Sequence, residues 1–262
     1  YYALDVLKGF YEKEESMLGK NFFERRLKPP RDILIKILFE RSFNNFNRII
    51  SISKFNQKQV LDYYKQDSNF IYPPIRCENY SYKKSKGFWI SVNRLHSQKR
   101  IELQIESFRL MPDKKLFVIG DYPERDSIEK YVAHIKNTKP KNVEIITKAS
   151  YDELKDYYSN CEGMLATSKN EAFGMAVVEA MASGKPIVAT NEGGFQESIV
   201  DGVTGFLVNP DVQEIVEAVR KVSKNPGKFK DASIKRSKQF DSKIFFQKFR
   251  ENINYVLSTL HK

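Results

Sequence analysis

From Phe88 onward the chain alternates short apolar runs, rich in β-branched and aromatic residues, with longer stretches of helical period. That alternation is the pattern of a parallel α/β sheet. Six runs read as strands: FWISV (88–92), KLFVIG (115–120), VEIIT (143–147), MLAT (164–167), PIVAT (186–190) and GFLV (205–208). Between them the spacing predicts helices near 99–110, 124–138, 151–160, 174–183 and 212–223, several opened by Asp, Ser or Pro and closed by Gly or Pro. Six strands complete a Rossmann-like, doubly wound unit, expected over residues 87–225.

The flanks read differently. RIISIS (48–53) reads as one strand and NFIYPP (69–74) as a short second one, and the remainder before residue 87 is mostly helical with many aromatics. Pro73-Pro74 opens a polar linker to Gly87. An isolated strand pair is marginal, and the chain opens on Tyr1. Residues 1–86 are therefore expected to be the remnant of a larger amino-terminal domain plus its linker. After Pro226, over residues 226–262, a lysine-rich helix leads into KIFFQKFRENINYVLSTL. There Phe245, Phe249, Ile253, Val256 and Leu260 recur at helical spacing, a face that needs a packing partner.

Composition narrows the class. Of 262 residues, 41% are hydrophobic and 29% charged, ordinary soluble usage that excludes wholesale disorder and collagen-like repeats. The longest apolar runs fall far short of the ~20 residues that span a bilayer, so a soluble or at most peripheral protein is expected. Cys77 and Cys161 have no close cysteine or histidine partner in sequence, which argues against a zinc knuckle, a redox dithiol or a secreted disulfide framework. A reducing, cytoplasmic compartment is expected. The net charge of +11 is uneven: residues 1–86 hold 17 basic and 10 acidic residues (+7), residues 87–220 hold 16 and 20 (−4), and residues 221–262 hold 11 and 3 (+8). Basic ends of this kind meet nucleic acid, anionic lipid or a phosphorylated substrate, or are simply a lysine-rich solvated surface.

Three segments carry candidate chemistry. Glu171-Ala-Phe-Gly-Met-Ala-Val-Val-Glu179 follows a strand and opens a helix, so the amides of Phe173, Gly174 and Met175 stand at a positive dipole end suited to an anion. Glu171 and Glu179 would then accept from hydroxyls near that anion, or serve only as a helix-entry cap and a solvated helix residue. Arg94-Leu-His-Ser-Gln-Lys99 follows the first strand of the unit. In open parallel sheets ligands sit outside the carboxyl ends of strands, so Arg94 and Lys99 share a rim with Glu171. Two cations there suit a diphosphate, although the pattern is also common on surfaces. His96 reads as an exposed loop residue. Asn191-Glu-Gly-Gly-Phe-Gln-Glu197 follows another strand, its paired glycines serving either a close approach to ligand or a tight turn. No G-x-G-x-x-G, P-loop, G-x-S-x-G or metal-ligand spacing occurs.

In order and position these segments resemble the donor-binding half of a retaining glycosyltransferase of family 4, with its two-Rossmann GT-B architecture. The resemblance rests on Arg94 with Lys99, Gly120, Glu171-Ala-Phe-Gly through Glu179, Glu179-Ala-Met-Ala-Ser-Gly-Lys-Pro186, and Gly193-Gly-Phe-Gln-Glu197 through Gly205-Phe-Leu-Val. It covers residues 87–225 and is nearest to archaeal and bacterial mannosyltransferases of surface-glycan assembly. It implies that Arg94 and Lys99 hold the donor diphosphate, that Glu171 meets the sugar hydroxyls and that Glu179 binds the ribose. The amides of Phe173, Gly174 and Met175 would complete the cradle, with the base near Thr147 and Lys148. Such enzymes stabilise the departing nucleoside diphosphate with positive groups while the acceptor attacks from the same face, and they need no metal or other cofactor. The implied co-substrate is a nucleotide-diphosphate sugar, GDP-mannose by nearest flavour, and the implied acceptor a glycan or polyprenyl-linked saccharide. Arg100, Tyr122 and Lys148-Ala-Ser stand where the family usually has glycines. The family's acceptor half is not recognisable here, so the chain is expected to bind a donor without transferring by itself. The closing helix is expected to cross back toward the amino-terminal segment, with the basic ends on an anionic membrane surface. The rival readings are a GT-B sugar-nucleotide 2-epimerase, a non-catalytic nucleotide-sugar-binding subunit and a nucleic-acid-binding module, the last without a recognisable motif.

Overall fold

The computed structural model describes residues 2–3, 41, 46–123 and 125–260. The chain divides into two units, one of residues 1–72 with 247–262 and one of residues 73–246. In the first, β1 (Tyr2–Ala3), β2 (Ile50–Ser51) and β3 (Asn69–Phe70) pair in parallel in that order. Helix α1 (Lys54–Tyr64) connects β2 to β3, and Val60 and Tyr64 pack with Ile49 in a small core. The strand expected at 48–53 is short because Ser53 leaves the sheet to cap α1, its side chain accepting from the Asn56 N–H. Most of the aromatic-rich helices expected before Arg48 fall at positions 4–40 and 42–45, outside the described residues.

The second unit holds β4 (Phe88–Val92), β5 (Lys115–Ile119), β6 (Val143–Ile146), β7 (Gly163–Ala166), β8 (Ile187–Thr190) and β9 (Gly205–Val208). All run parallel in the order β6-β5-β4-β7-β8-β9, so the sheet grows outward in both directions from β4 and β7. That is the Rossmann order, with the winding reversing between β4 and β7. β7 and β8 are buried at every position, as befits strands covered on both faces. The covering helices are α2 (Ile101–Arg109), α3 (Asp126–Thr138), α4 (Tyr151–Asn160), α5 (Met175–Ala182), α6 (Phe195–Ser198), α7 (Val212–Ser223) and α8 (Lys230–Ser237). Their apolar stripes explain the packing. Ile101, Ile105 and Phe108 of α2 and Ile215, Val219 and Val222 of α7 enter one core with Trp89, Leu116, Leu165 and Val188.

Caps set the ends. Asp211 accepts from the N–H groups of Gln213 and Glu214 to open α7, and Ser150 with Glu153 forms a reciprocal capping box on α4. The polar run before Gly87 is held against the unit by backbone bonds from Lys83 to Ser159 and from Lys86 to Asn160. At the other end, Ile75 bridges to Asp241.

The last helix, α9 (Ser242–Leu260), begins in the second unit, and its residues 247–260 group with the first. Within that first unit the Asn252 side-chain oxygen accepts from Arg48 at 2.6 Å and from Asn69 at 3.3 Å. The Arg48 guanidinium lies 4.2 Å from the centroid of the Tyr255 ring. Of the apolar stripe, Phe245, Phe249 and Val256 are half-buried and Ile253 is exposed, while the Leu260 side chain is outside the described set. No described helix is long and apolar enough to cross a membrane.

Candidate active site

The loops after β4 and β7 flank the point where the sheet order reverses, and the candidate residues gather there. After β4 come Asn93 and Arg94, then a single 3-10 turn (Ser97–Lys99) capped by His96, whose ring nitrogen accepts from the Gln98 N–H. His96 is thus a local cap on an exposed loop. After β7 comes the Glu171 loop, which enters α5. Lys99 Nζ and Glu171 Oε2 meet at 2.6 Å, with 26% and 22% of their side chains exposed. A cation from one side of the reversal therefore touches an anion from the other. Arg94 is exposed, and among the described residues it has no ionic partner.

The two loops are tied at several further points. Thr167 Oγ1 donates to the Lys99 carbonyl at 2.7 Å and itself accepts from Gln104 at 2.7 Å, in a buried position. The Lys169 N–H donates to the Gln98 carbonyl at 2.9 Å. Arg100 grips Glu192, in the loop after β8, with both terminal nitrogens, a bidentate geometry that lysine cannot reproduce. Arg100 has φ +49°, in the left-handed region. The glycine usual at that place in the resemblance is thereby accounted for: the turn from β4 into α2 requires that backbone, and here an arginine adopts it.

The entry to α5 is built from buried parts. Phe173 is fully buried against Phe240, ring centroids 5.2 Å apart, so it faces the core and offers the site only its backbone. Gly174 is the amino-terminal cap of α5 with no side-chain cap bond, and Met175 is exposed at the first helical position. The first N–H groups of a helix have no intrahelical acceptor and sit at its positive end. Glu171 stands next to this end: a Cβ on Gly174 would lie 3.7 Å from its Cγ.

The glycine pair after β8 serves this loop. The Gly194 N–H donates to the Glu171 carbonyl at 2.7 Å. A Cβ on Gly193 would stand 2.5 Å from the Glu171 carbonyl oxygen, and one on Gly194 would stand 2.5 Å from the Ala172 carbonyl oxygen. The glycines form the turn into α6 and let it pack closely on the backbone of the Glu171 loop.

Glu179 lies further along α5, and the Tyr158 hydroxyl donates to its Oε2 at 2.8 Å. Thr147 and Lys148 follow β6 on the same carboxyl rim, two strands away from β4. Lys148, at φ +60°, donates its N–H to the Asp121 carboxylate at 2.6 Å, so the loops after β5 and β6 are also joined. The rim thus carries Thr147 and Lys148, then Arg94 and Lys99, then Glu171, Phe173, Gly174 and Met175 in spatial order. Among the described residues no cluster of three or more His, Cys, Asp or Glu forms a metal centre. Cys161 is buried and its thiol is pushed up to about 12 by that burial; Cys77 is pushed up to about 11, again chiefly by burial.

Residues 75–240 match the family described as Glycosyl transferases group 1. The chain belongs to that family. Curated relatives of this group 1 glycosyl transferase include the α-1,3/1,6-mannosyltransferase ALG2 of Dictyostelium discoideum, 28% identical over 219 residues covering 75% of this chain and 52% of that one. A glycosyltransferase of Methanocaldococcus jannaschii, MJ1178, is 27% identical over 230 residues, 86% of this chain and 63% of that one. The chain therefore spans between about half and two-thirds of the length of these relatives.

Among solved structures, sucrose-phosphate synthase of Thermosynechococcus elongatus superposes with TM-score 0.78 at 19% identity, over 99% of this chain and 67% of that one. HepE of Anabaena, in complex with UDP and glucose, gives 0.75 at 18%, over 97% and 70%. At those identities the likeness is one of fold, and the fold is that of GT-B glycosyltransferases.

Proposed function

We propose that this group 1 glycosyl transferase binds a nucleotide-diphosphate sugar at the β4/β7 rim and, together with an acceptor-side half, passes the sugar to a glycan or polyprenyl-linked acceptor with retention of configuration, GDP-mannose being the donor. The observation that carries the reading is the Lys99–Glu171 pair at the mouth of α5. It places a cation, a hydroxyl-accepting carboxylate and a helix amino terminus around one point. A leaving diphosphate gathers negative charge, and preorganised cations and N–H groups aimed at it lower the barrier. Arg94 and Lys99 supply the cations, the amides from Phe173 to Met175 the dipoles, and Glu171 orients the sugar through its hydroxyls. Glu179 takes the ribose, and Thr147 with Lys148 bounds the base. No metal or cofactor enters this scheme. The mannosyltransferase relatives support the sugar, and the UDP and glucose bound in HepE support a nucleotide-sugar seat in this fold.

The test uses Glu171→Gln. In the free protein Glu171 occupies Lys99, and its neutral analogue releases that ammonium. In a titration with GDP and with GDP-mannose, Glu171→Gln is expected to hold GDP as tightly as wild type or a few-fold tighter. It should lose about tenfold for GDP-mannose, the value of one charge-assisted hydroxyl contact. UDP, ADP and their sugar conjugates, run in parallel, identify the nucleotide; equal losses with and without the sugar count against Glu171 as the sugar's ligand. Wild type saturated at 100 times Kd should gain about 2.7 kcal/mol, and a melting curve unmoved by all three nucleotides removes the donor-site reading.

The basic ends complete the proposal as a peripheral contact with an anionic membrane face, where lipid-linked acceptors reside. Each Lys or Arg near such a surface is worth ~1 kcal/mol. Co-flotation of the chain with phosphatidylglycerol vesicles at low salt, and its release at 0.5 M salt, is the expected result. Equal flotation with neutral phosphatidylcholine vesicles removes this part of the proposal.

A further inference from the structure

The carboxylate of Glu179 is held in an unusual way. Among the described residues no lysine or arginine pairs with it; its recorded partners are phenols. Tyr158, on α4, is completely buried and donates to Oε2 at 2.8 Å. Tyr80, from the segment ahead of β4, packs edge-on against the Tyr158 ring with centroids 6.0 Å apart. Burial first, and then the negative charge of Glu179, push both phenols upward, so both remain protonated donors across the working pH range.

This arrangement has a chemical consequence. A carboxylate paired with an ammonium or guanidinium has its charge largely neutralised. A phenol donor fixes the carboxylate, leaves the full negative charge, and leaves lone pairs on it with which to accept. The Tyr158 ring is locked in the core, so its hydroxyl cannot follow the carboxylate if the latter swings away. We infer that Tyr158 is a positioning residue: by fixing Oε2 it aims Oε1 of Glu179 at the ribose hydroxyls and gives the site its preference for ribonucleotides over deoxyribonucleotides. The inference rests on the reading that Glu179 binds the ribose.

The test is a binding comparison on the full chain with GDP, UDP and ADP, each beside its 2′,3′-dideoxy form, in wild type, Tyr158→Phe, Glu179→Gln and the double variant. Wild type is expected to prefer the ribonucleotide. Tyr158→Phe should weaken the ribonucleotide about threefold to tenfold, as befits one hydrogen bond, and leave the dideoxy form unchanged. In the Glu179→Gln background it should add nothing further. Tyr158→Phe losses of equal size for ribo and dideoxy forms would mean a structural role only and overturn the inference. So would a Tyr158→Phe protein that keeps wild-type preference while Glu179→Gln loses it. A wild type indifferent to the ribose hydroxyls, or binding none of the three nucleotides, removes the Glu179 reading and the inference with it.

Should Tyr158→Phe fail to fold, 3-fluorotyrosine at position 158 keeps both ring and hydroxyl. Its fluorine resonance is expected to move on adding the ribonucleotide and to stay in place with the dideoxy form. Equal movement with both overturns the inference.

Discussion

Lys99→Ala is expected to weaken binding of the nucleoside diphosphate about tenfold to a hundredfold, because a hydrogen bond to a charged group is worth ~1.5–3 kcal/mol. Two effects act in the same direction. The variant removes a phosphate ligand, and it strips Glu171 of the ammonium that meets it at 2.6 Å, leaving a bare carboxylate facing the incoming diphosphate. Arg94→Ala removes only the first kind of contact, since Arg94 is exposed and has no ionic partner among the described residues. Its loss should therefore be the smaller of the two. The repulsive part is identified by combining Lys99→Ala with Glu171→Gln: neutralising the carboxylate should restore part of the lost affinity, so the two changes are not additive. Calorimetric titration at low and high salt reads both quantities. An unchanged affinity in Lys99→Ala, with the melting temperature preserved, places the diphosphate elsewhere and sinks the assignment.

The sheet was legible because parallel strands buried on both faces announce themselves as apolar runs. FWISV and GFLV are strands over the expected residues, three others differ by one residue at one end, and β7 is shifted by one residue at both. The ends drift for local reasons. Thr147 is excluded from β6 because the chain turns into the left-handed Lys148, and Thr167 leaves β7 to bond the Lys99 carbonyl. The short helix α6 was missed since four residues carry no period to detect. In the first unit β2 and β3 fall inside the runs read as strands, RIISIS and NFIYPP, but each is only two residues long.

The site was legible in part. Arg94, Lys99 and Glu171 stood out as charges next to strand ends, and the structure brings Lys99 and Glu171 into contact. What escaped was the framework that holds them: Thr167, Gln104 and the Arg100–Glu192 pair. One sign was available. Gln104 lies on the same face of α2 as Ile101, Ile105 and Phe108, and a polar residue in an apolar stripe asks for a buried partner. Arg100 and Lys148 were noted as departures from glycine, and both have positive φ. A non-glycine residue there costs ~1–2 kcal/mol. Each is offset by a bond of its own, Arg100 to Glu192 and the Lys148 N–H to Asp121. Glu179 could be read as a candidate, but its phenol partners could not, since Tyr158 and Tyr80 precede it by 21 and 99 positions.

Gly193→Ala should damage both the fold and the site through a single methyl. The residue sits at φ +58°, and an added Cβ would lie 2.5 Å from the carbonyl oxygen and 2.9 Å from the nitrogen of Glu171. Both neighbours are backbone and cannot rotate away. Left-handed strain of ~1–2 kcal/mol and overpacking of ~1–3 kcal/mol give a loss of about 2–5 kcal/mol. At ~2–4 °C per kcal/mol for a chain of this size, the melting temperature should fall by roughly 5–15 °C. The two contributions can be separated, because Gly202 has φ +72° and an added Cβ there meets nothing within 4 Å. Gly202→Ala thus carries the strain without the collision and should cost only ~1–2 kcal/mol. Donor binding separates them again: Gly202→Ala should leave it intact, whereas Gly193→Ala must displace Glu171 and with it the partner of Lys99. If the two variants melt together and bind nucleotide sugar alike, the glycine pair is a turn and nothing more.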